Sequence, residues 1–358
     1  MPASSVDTFF ACSLMVILIV SAMVGTAKVM QPYINDLSNM NGVERCRGLA
    51  EYLLLSTGKP YNWGKMADVA PTAFGLASET QRPYELDLDK VSRLNSNSIH
   101  SITYQEISAA LGTKDISLNI KIHPLFEVSI NLVSNQSGET ETTYTFQVST
   151  SKSGFPVSAW LQCYTVVETY SSNVSSSTGS NGVDLVNATL PNSPNGMALF
   201  MVFAKAKADS RMMAFNVHSF GHNSETPEPN GPFLQLSPLN YVLNVSFQYQ
   251  TVEISNAYVF TCNYHFNFSQ TAAGNQTVEY SIPHLLDASP MMLVLNGNNG
   301  STSFAEWTAY PQLPLEIGAD FGDLTTMSKT AALTYIVSIN SVLYESIITC
   351  RSVQNYDA

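Results

Sequence analysis

TYQEISAALGTKDISLNIKI, residues 103–122, holds the change of period that decides the fold. Its first half places Tyr104, Ile107, Ala110 and Leu111 at steps of mostly three, on one face of a helix that Gly112 ends. Its second half alternates Ile116, Leu118, Ile120 and Ile122 with Ser, Asn and Lys, the pattern of a half-buried strand. Helical patterns lie on the amino-terminal side of this switch and strand patterns on the other.

On the carboxy-terminal side FEVSINLV (126–133), TYTFQVST (143–150) and SGFPVSAWLQCYTVV (153–167) read as strands, with the polar turn NQSGETET (135–142) between the first two. SSNVSSSTGSNG (171–182) reads as a surface loop. The strand pattern resumes in MALFMVFAKAKA (197–208) and RMMAFNVHS (211–219), and TPEPNGP (226–232) is the clearest linker. Beyond it, strand-like runs separated by turn residues extend to LYESIITCRS. That cadence is the signature of β-sandwiches.

On the amino-terminal side GKPYNWGKMADVAPTAFG (58–75) reads as a turn whose Trp63 packs back on a helix tip. From Lys28 to Leu55 the apolar residues, Cys46, Leu49, Ala50, Leu53 and Leu54 among them, form one face of a stalk helix. Pro32 is expected to kink it, and Gly58 and Pro60 to close it. Before the stalk stands FFACSLMVILIVSAMVGTA, Phe9–Ala27, without a single charge. As a helix it covers about 28 Å, close to the hydrocarbon thickness of a bilayer. A retained anchor, a cleaved signal peptide and a pilin-type helix all carry such a stretch; the amphipathic continuation favours a retained helix. The fold class expected is therefore α+β: a long N-terminal hydrophobic helix with an amphipathic stalk, followed by predominantly antiparallel β-sandwich domains. The divisions expected are helix 1–57, a small α+β collar 58–134, a sandwich 135–225 and a C-terminal sandwich 226–358.

Of the 358 residues only 12% are charged, the net charge is −12, and the 16 Lys and Arg form no cluster, which argues against a nucleic-acid partner. Seven Asn-x-Ser/Thr sequons, at Asn135, Asn173, Asn187, Asn244, Asn267, Asn275 and Asn299, suit a glycosylated ectodomain. The cysteines are Cys12, Cys46, Cys163, Cys262 and Cys350. Cys262 and Cys350 both sit in strand-like runs of what reads as one domain, so a Cys262–Cys350 disulfide is expected, two buried thiols being the alternative.

Two resemblances add to this reading. The uncharged helix with Asp7 before it, its amphipathic continuation, the exit LLLSTGKPYNWG (53–64) and the passage FGLA…YELDLDKVSRLN…TYQEISAALG resemble archaeal type IV pilin-like, archaellin-like surface proteins. Over residues 143–220, Gly154-Phe155-Pro156-Val157 with Ala159, and then Asn195-Gly196-Met197-Ala198, resemble Ig-like or transthyretin-like sandwiches. The first implies membrane attachment, or self-association, through the helix; the second implies spacer or adhesion modules.

Catalytic signals are thin. His218 and His222 form H-x3-H, but at a strand end rather than on a helix. Asp87 and Asp89 read as the start of a helix, with a carboxylate pair for acid–base work the sharper alternative. No Gly-x-Ser-x-Gly elbow, Walker loop, dinucleotide fingerprint or Cys/His zinc spacing occurs in the sequence. The dense aromatics from Tyr241 to Phe268 read as sandwich core, or alternatively as a carbohydrate platform. The expectation is a non-enzymatic cell-surface protein without a cofactor, single-pass through Phe9–Ala27, structural or adhesive in role. A subunit of an extracellular filament and a secreted carbohydrate-active hydrolase or carbohydrate-binding protein are the alternatives.

Overall fold

A computed structural model describes residues 3–80, 82–113, 115–224, 230–285, 289–300, 302–321 and 330–352. In the first helix it describes the side chains of 14–24, 26, 28 and 42 onward. The chain is mostly antiparallel sheet, as the alternating patterns imply. Among the described residues three α-helices precede most of it: α1 (Ala3–Leu55), α2 (Leu88–Ser92) and α3 (Tyr104–Leu111). Among the described residues no helix is long and apolar enough to cross a membrane. Part of the Phe9–Ala27 stretch, and Pro32 with it, lies outside the described side chains.

The period switch falls where the sequence places it. Thr103 caps α3 and forms a reciprocal capping box with Glu106, and Gly112 closes the helix in the left-handed conformation at φ 65°. The strand Ile116–Pro124 follows and lies inside a five-stranded sheet. The order of that sheet is Glu85–Leu86, Thr330–Ile339, Val342–Ser352, Ile116–Pro124, Leu315–Gly318. Its core takes Cys46, Ala50, Leu53 and Leu54 from α1, together with Trp63, Phe74, Leu76 and Ile348. The last hairpin of the chain, Thr330–Ile339 with Val342–Ser352, thus belongs to the collar rather than to the C-terminal sandwich expected over 226–358. Its inward residues, Val337, Ile339, Tyr344 and Ile348, cover the helix end that would otherwise face water.

The first sandwich packs Met213–His222, Gly196–Ala206, Ala159–Val167 and Tyr170–Ser177 against a sheet led by Glu127–Ser137, Glu141–Lys152 and Val183–Pro191. Phe146 and Phe200 stack across its centre with ring centroids 4.0 Å apart. Phe126, Val128 and Ile130 are part of this core, so the sandwich begins before residue 135. The Ser-rich run expected to be a loop supplies an edge strand, Tyr170–Ser177, paired along Ala159–Val167. Its serines alternate between the two faces, where Ser175 donates to Gln162 and Ser176 to Asp184.

The second sandwich stacks Leu234–Leu239, Val242–Phe247, Thr277–Ser281 and Gln270–Ala273 on His265–Asn267, Val252–Phe260, Met291–Asn299 and Thr302–Tyr310. The two sandwiches also join back to back. Tyr164, Leu199, Met201 and Phe203 from one meet Tyr258, Phe260, Met292 and Val294 from the other in a single buried cluster. The runs MALFMVFA and MMLVL have no polar alternation because both faces of those strands are covered. Of the linker over 226–232, residues 226–229 lie outside the described residues.

Candidate functional site

The two ends of α1 differ in what surrounds them. From Leu14 to Val24 every residue is exposed, and the large apolar side chains among them show 50% to 68% of their surface. At the other end Cys46, Ala50, Leu53 and Leu54 are wholly buried, at the 0, 4, 7, 8 spacing of one helical face. After Leu55 the chain turns at Gly58, whose φ is 73° and where a Cβ would meet the Ala73 carbonyl oxygen at 2.5 Å.

Trp63 packs back on this tip as expected: it is buried, its Nε1 donates to the Gly75 carbonyl at 3.1 Å, and Phe74 lies beside it. Two buried cations on and just after α2 fasten the loop that carries it. Lys90 Nζ donates to the carbonyls of Thr57 at 2.9 Å and Ala77 at 2.8 Å. The Arg93 guanidinium donates to the carbonyls of Trp63, Met66, Val69, Ala67 and His100. Burial lowers the pKa of both groups. Each ties together backbone carbonyls of the loop, although Trp63 and Met66 also accept from the Met66 and Val69 N–H groups.

Cys350 is bonded to Cys46, with Cα atoms 5.7 Å apart, and not to Cys262. The correction follows from the topology: the carboxy-terminal hairpin leaves the second sandwich and lies against α1. Cys262 stays in the second sandwich, next to the cluster shared by the two sandwiches. Cys163 is buried in the first sandwich, where burial pushes its thiol up to about 12. Cys12 lies outside the described side chains.

The collar meets the second sandwich along a polar seam. Asp87 caps α2, accepting from Asp89 and Lys90 backbone N–H at 3.0 Å each. Asp89 points the other way, buried, and its Oδ1 accepts from the Tyr310 hydroxyl and from the Asn240 backbone N–H at 2.8 Å. Burial pushes its carboxyl up to about 6, against the pull of those two bonds. Asn240 and Tyr241 have positive φ, and this hairpin turn directs the Asn240 N–H at the collar's Asp89 and the Tyr241 N–H at the Tyr310 hydroxyl. Glu306, also buried, accepts from the backbone N–H of Phe233 and Leu234 at 2.8 Å each, and burial pushes it up to about 7. Beside it opens a cleft of about 610 Å³ between the loop at Asn95–Asn97, the Leu234–Leu239 strand and the segment Glu306–Pro314.

The other sequence candidates spread out. His222 spends Nδ1 on the Tyr144 hydroxyl at 2.8 Å and Nε2 on the Pro191 carbonyl at 2.9 Å, while His218 packs edge-on to Phe146. Among the described residues no three His, Cys, Asp or Glu side chains are grouped to hold a metal. Of the sequon asparagines, Asn135, Asn173, Asn187, Asn267 and Asn275 are exposed. Asn244 and Asn299 are half-buried and bonded, to His100 Nε2 at 3.1 Å and to the Thr251 hydroxyl respectively. The aromatics from Tyr241 to Phe268 divide among the cores, with Tyr249 and Tyr264 left exposed. The Asp89–Tyr310 contact and the Glu306 cleft escape sequence reading, because each joins residues far apart in the chain.

No protein-family profile matches the chain, and no curated protein matches it. Among solved structures, HBP35 of Porphyromonas gingivalis is similar over 55% of this chain and 64% of its own, at 11% identity and a TM-score of 0.20. Red sea bream transglutaminase is similar over 57% of this chain and 32% of its own, at 11% identity and a TM-score of 0.21. The chain thus spans less than two thirds of either protein, and similarity this low carries no argument about fold or activity.

Proposed function

We propose that this is a non-enzymatic surface protein, held in a membrane by α1 and displaying its β-sandwiches outside the cell as structural or adhesive modules. The observation that carries the reading is the contrast along α1. Large apolar side chains from Leu14 to Val24 are exposed on every side, while the same kinds of residue from Cys46 to Leu54 are buried in the head. A helix that is apolar all round is stable only when something covers it, and a bilayer does so. The Cys46–Cys350 disulfide supports an oxidising, extracytoplasmic location for the head. The five exposed sequon asparagines agree with that location. Lys90, Arg93 and Glu306 engage the head's own backbone groups, and Asp89 a backbone N–H and the Tyr310 hydroxyl, which supports a scaffold rather than a catalyst.

Extraction of native membranes with mild detergent tests the proposal. The expected result is release of the protein into micelles as a small species. Recovery in the aqueous phase without detergent would overturn it. Sedimentation as an intact polymer after extraction would favour the filament-subunit reading, in which further copies of the helix cover Leu14–Val24.

A further inference from the structure

The cleft at the polar seam is built for a ligand of a definable kind. Among the described residues its lining holds no Lys, Arg or His, so an anion finds no counter-charge from them. Among the described lining residues the one carboxylate, Glu306, is engaged by the backbone N–H groups of Phe233 and Leu234, which leaves it poorly placed to ligate a cation. What the lining offers instead is neutral: the amides of Asn97, Gln248 and Gln312, the Gln235 amide oxygen (its Nε2 donates to the Asn97 carbonyl at 2.9 Å) and the hydroxyl of Thr308, drawn from three separate parts of the chain. A side-chain amide sets a donor and an acceptor side by side, the pairing that vicinal hydroxyls require.

Gln312 is the clearest of these. It is 5% exposed; its Nε2 donates to the Leu236 carbonyl at 3.2 Å and meets the Thr308 hydroxyl oxygen at 3.1 Å, yet its Oε1 has no hydrogen-bond partner among the described residues. A buried acceptor left unpaired is costly, and a small shift of the side chain toward an arriving hydroxyl removes that cost. Leu234, Leu236, Leu313 and Pro314 add apolar wall for the C–H face of a ring. The Asn230 amide clamps the Trp307 backbone through two bonds of 2.9 Å, which fixes one side of the opening. A volume of about 610 Å³ falls in the usual range for small-molecule sites.

We propose that this cleft binds a neutral, polyhydroxylated ligand: a sugar unit. The proposal does not rest on how α1 is held. Saturation-transfer NMR and calorimetry on the full-length protein in detergent micelles test it, with the methyl glycosides of glucose, galactose, mannose and N-acetylglucosamine as probes. Glucuronate and inorganic phosphate serve as charged counterparts. At least one neutral glycoside is expected to bind and neither anion to do so. The exposed-rim variant Ser96→Trp, which fills the opening, is expected to abolish binding. Gln312→Leu, and separately Thr308→Val with Gln248→Ala, are expected to weaken it about tenfold, the loss of roughly one hydrogen bond to ligand. Failure of all four glycosides to bind would overturn the proposal. So would binding unchanged in Ser96→Trp, or anions binding as tightly as the neutral sugars.

Discussion

The two ends of α1 carry similar residues in opposite surroundings. Leu53 and Leu54 are fully buried beneath the five-stranded sheet, whereas Ile17 and Leu18 expose more than half of their surface. Composition does not separate these ends; what separates them is whether the rest of the chain supplies a partner. At the head the last hairpin returns to cover the helix and is bonded to it through Cys350. At the other end the described residues supply no cover, and we assign that role to lipid.

Substitutions that treat the two ends alike are the sharpest way to break this contrast. Leu54→Asp buries an unpaired carboxylate in the collar core and is expected to cost more than about 4 kcal/mol, so that the head fails to fold by circular dichroism. Replacing Cys46 and Cys350 with Ser releases a cross-link between residues 304 apart in the chain and is expected to cost up to about 4–5 kcal/mol, read as a lowered Tm of the head. Lys90→Met strands the Thr57 and Ala77 carbonyls at the helix exit and is expected to cost about 3 kcal/mol by denaturant titration. Ile17→Asp stands at the far end of this series. It is expected to leave the Tm of the head unchanged while weakening membrane retention, since a carboxylate at mid-span costs about 3 kcal/mol.

The polar seam adds a pH dependence of its own. Burial raises Asp89 from 3.8 to about 6 and Glu306 from 4.5 to about 7. Between those limits the folded state holds more protons than the unfolded one, so stability falls as pH rises. Their contribution is complete below about pH 4 and lost by about pH 7, on the order of 3 kcal/mol for each group. The half-buried Asp115 and Asp209 and the exposed Glu106 and Glu316, held below the usual range by hydrogen bonds, act in the other direction and only under more acid conditions. Asp89→Asn keeps an acceptor for Tyr310 and Asn240. It is expected to flatten the Tm profile between pH 4 and 6; an unchanged slope would remove Asp89 as its source.

Much of this architecture was legible in local pattern. The strands at ISLNIKI and FEVSINLV, the end of α3 at Gly112 and the Gly58 exit each depend on neighbours in sequence, and each stands as read, although Leu132 faces outward where the alternation placed it inside. The unbroken runs MALFMVFA and MMLVL carried the signal for the joint between the sandwiches, since only strands covered on both faces can omit polar residues. The disulfide was misread because the return of residues 330–352 to the collar is a matter of topology; their alternation fits either sheet equally well. Asp89 and Glu306 were illegible as seam residues for a related reason. A carboxylate satisfied by backbone N–H groups from distant segments leaves no mark in its own neighbourhood.

The most direct test is the intact mass of the native protein recovered from its membrane fraction. The account predicts a chain that retains Phe9–Ala27, is lighter by the two hydrogens of the Cys46–Cys350 bond, and is heavier by whole sugar units. A chain that begins at Lys28 and is found free in the medium would contradict it.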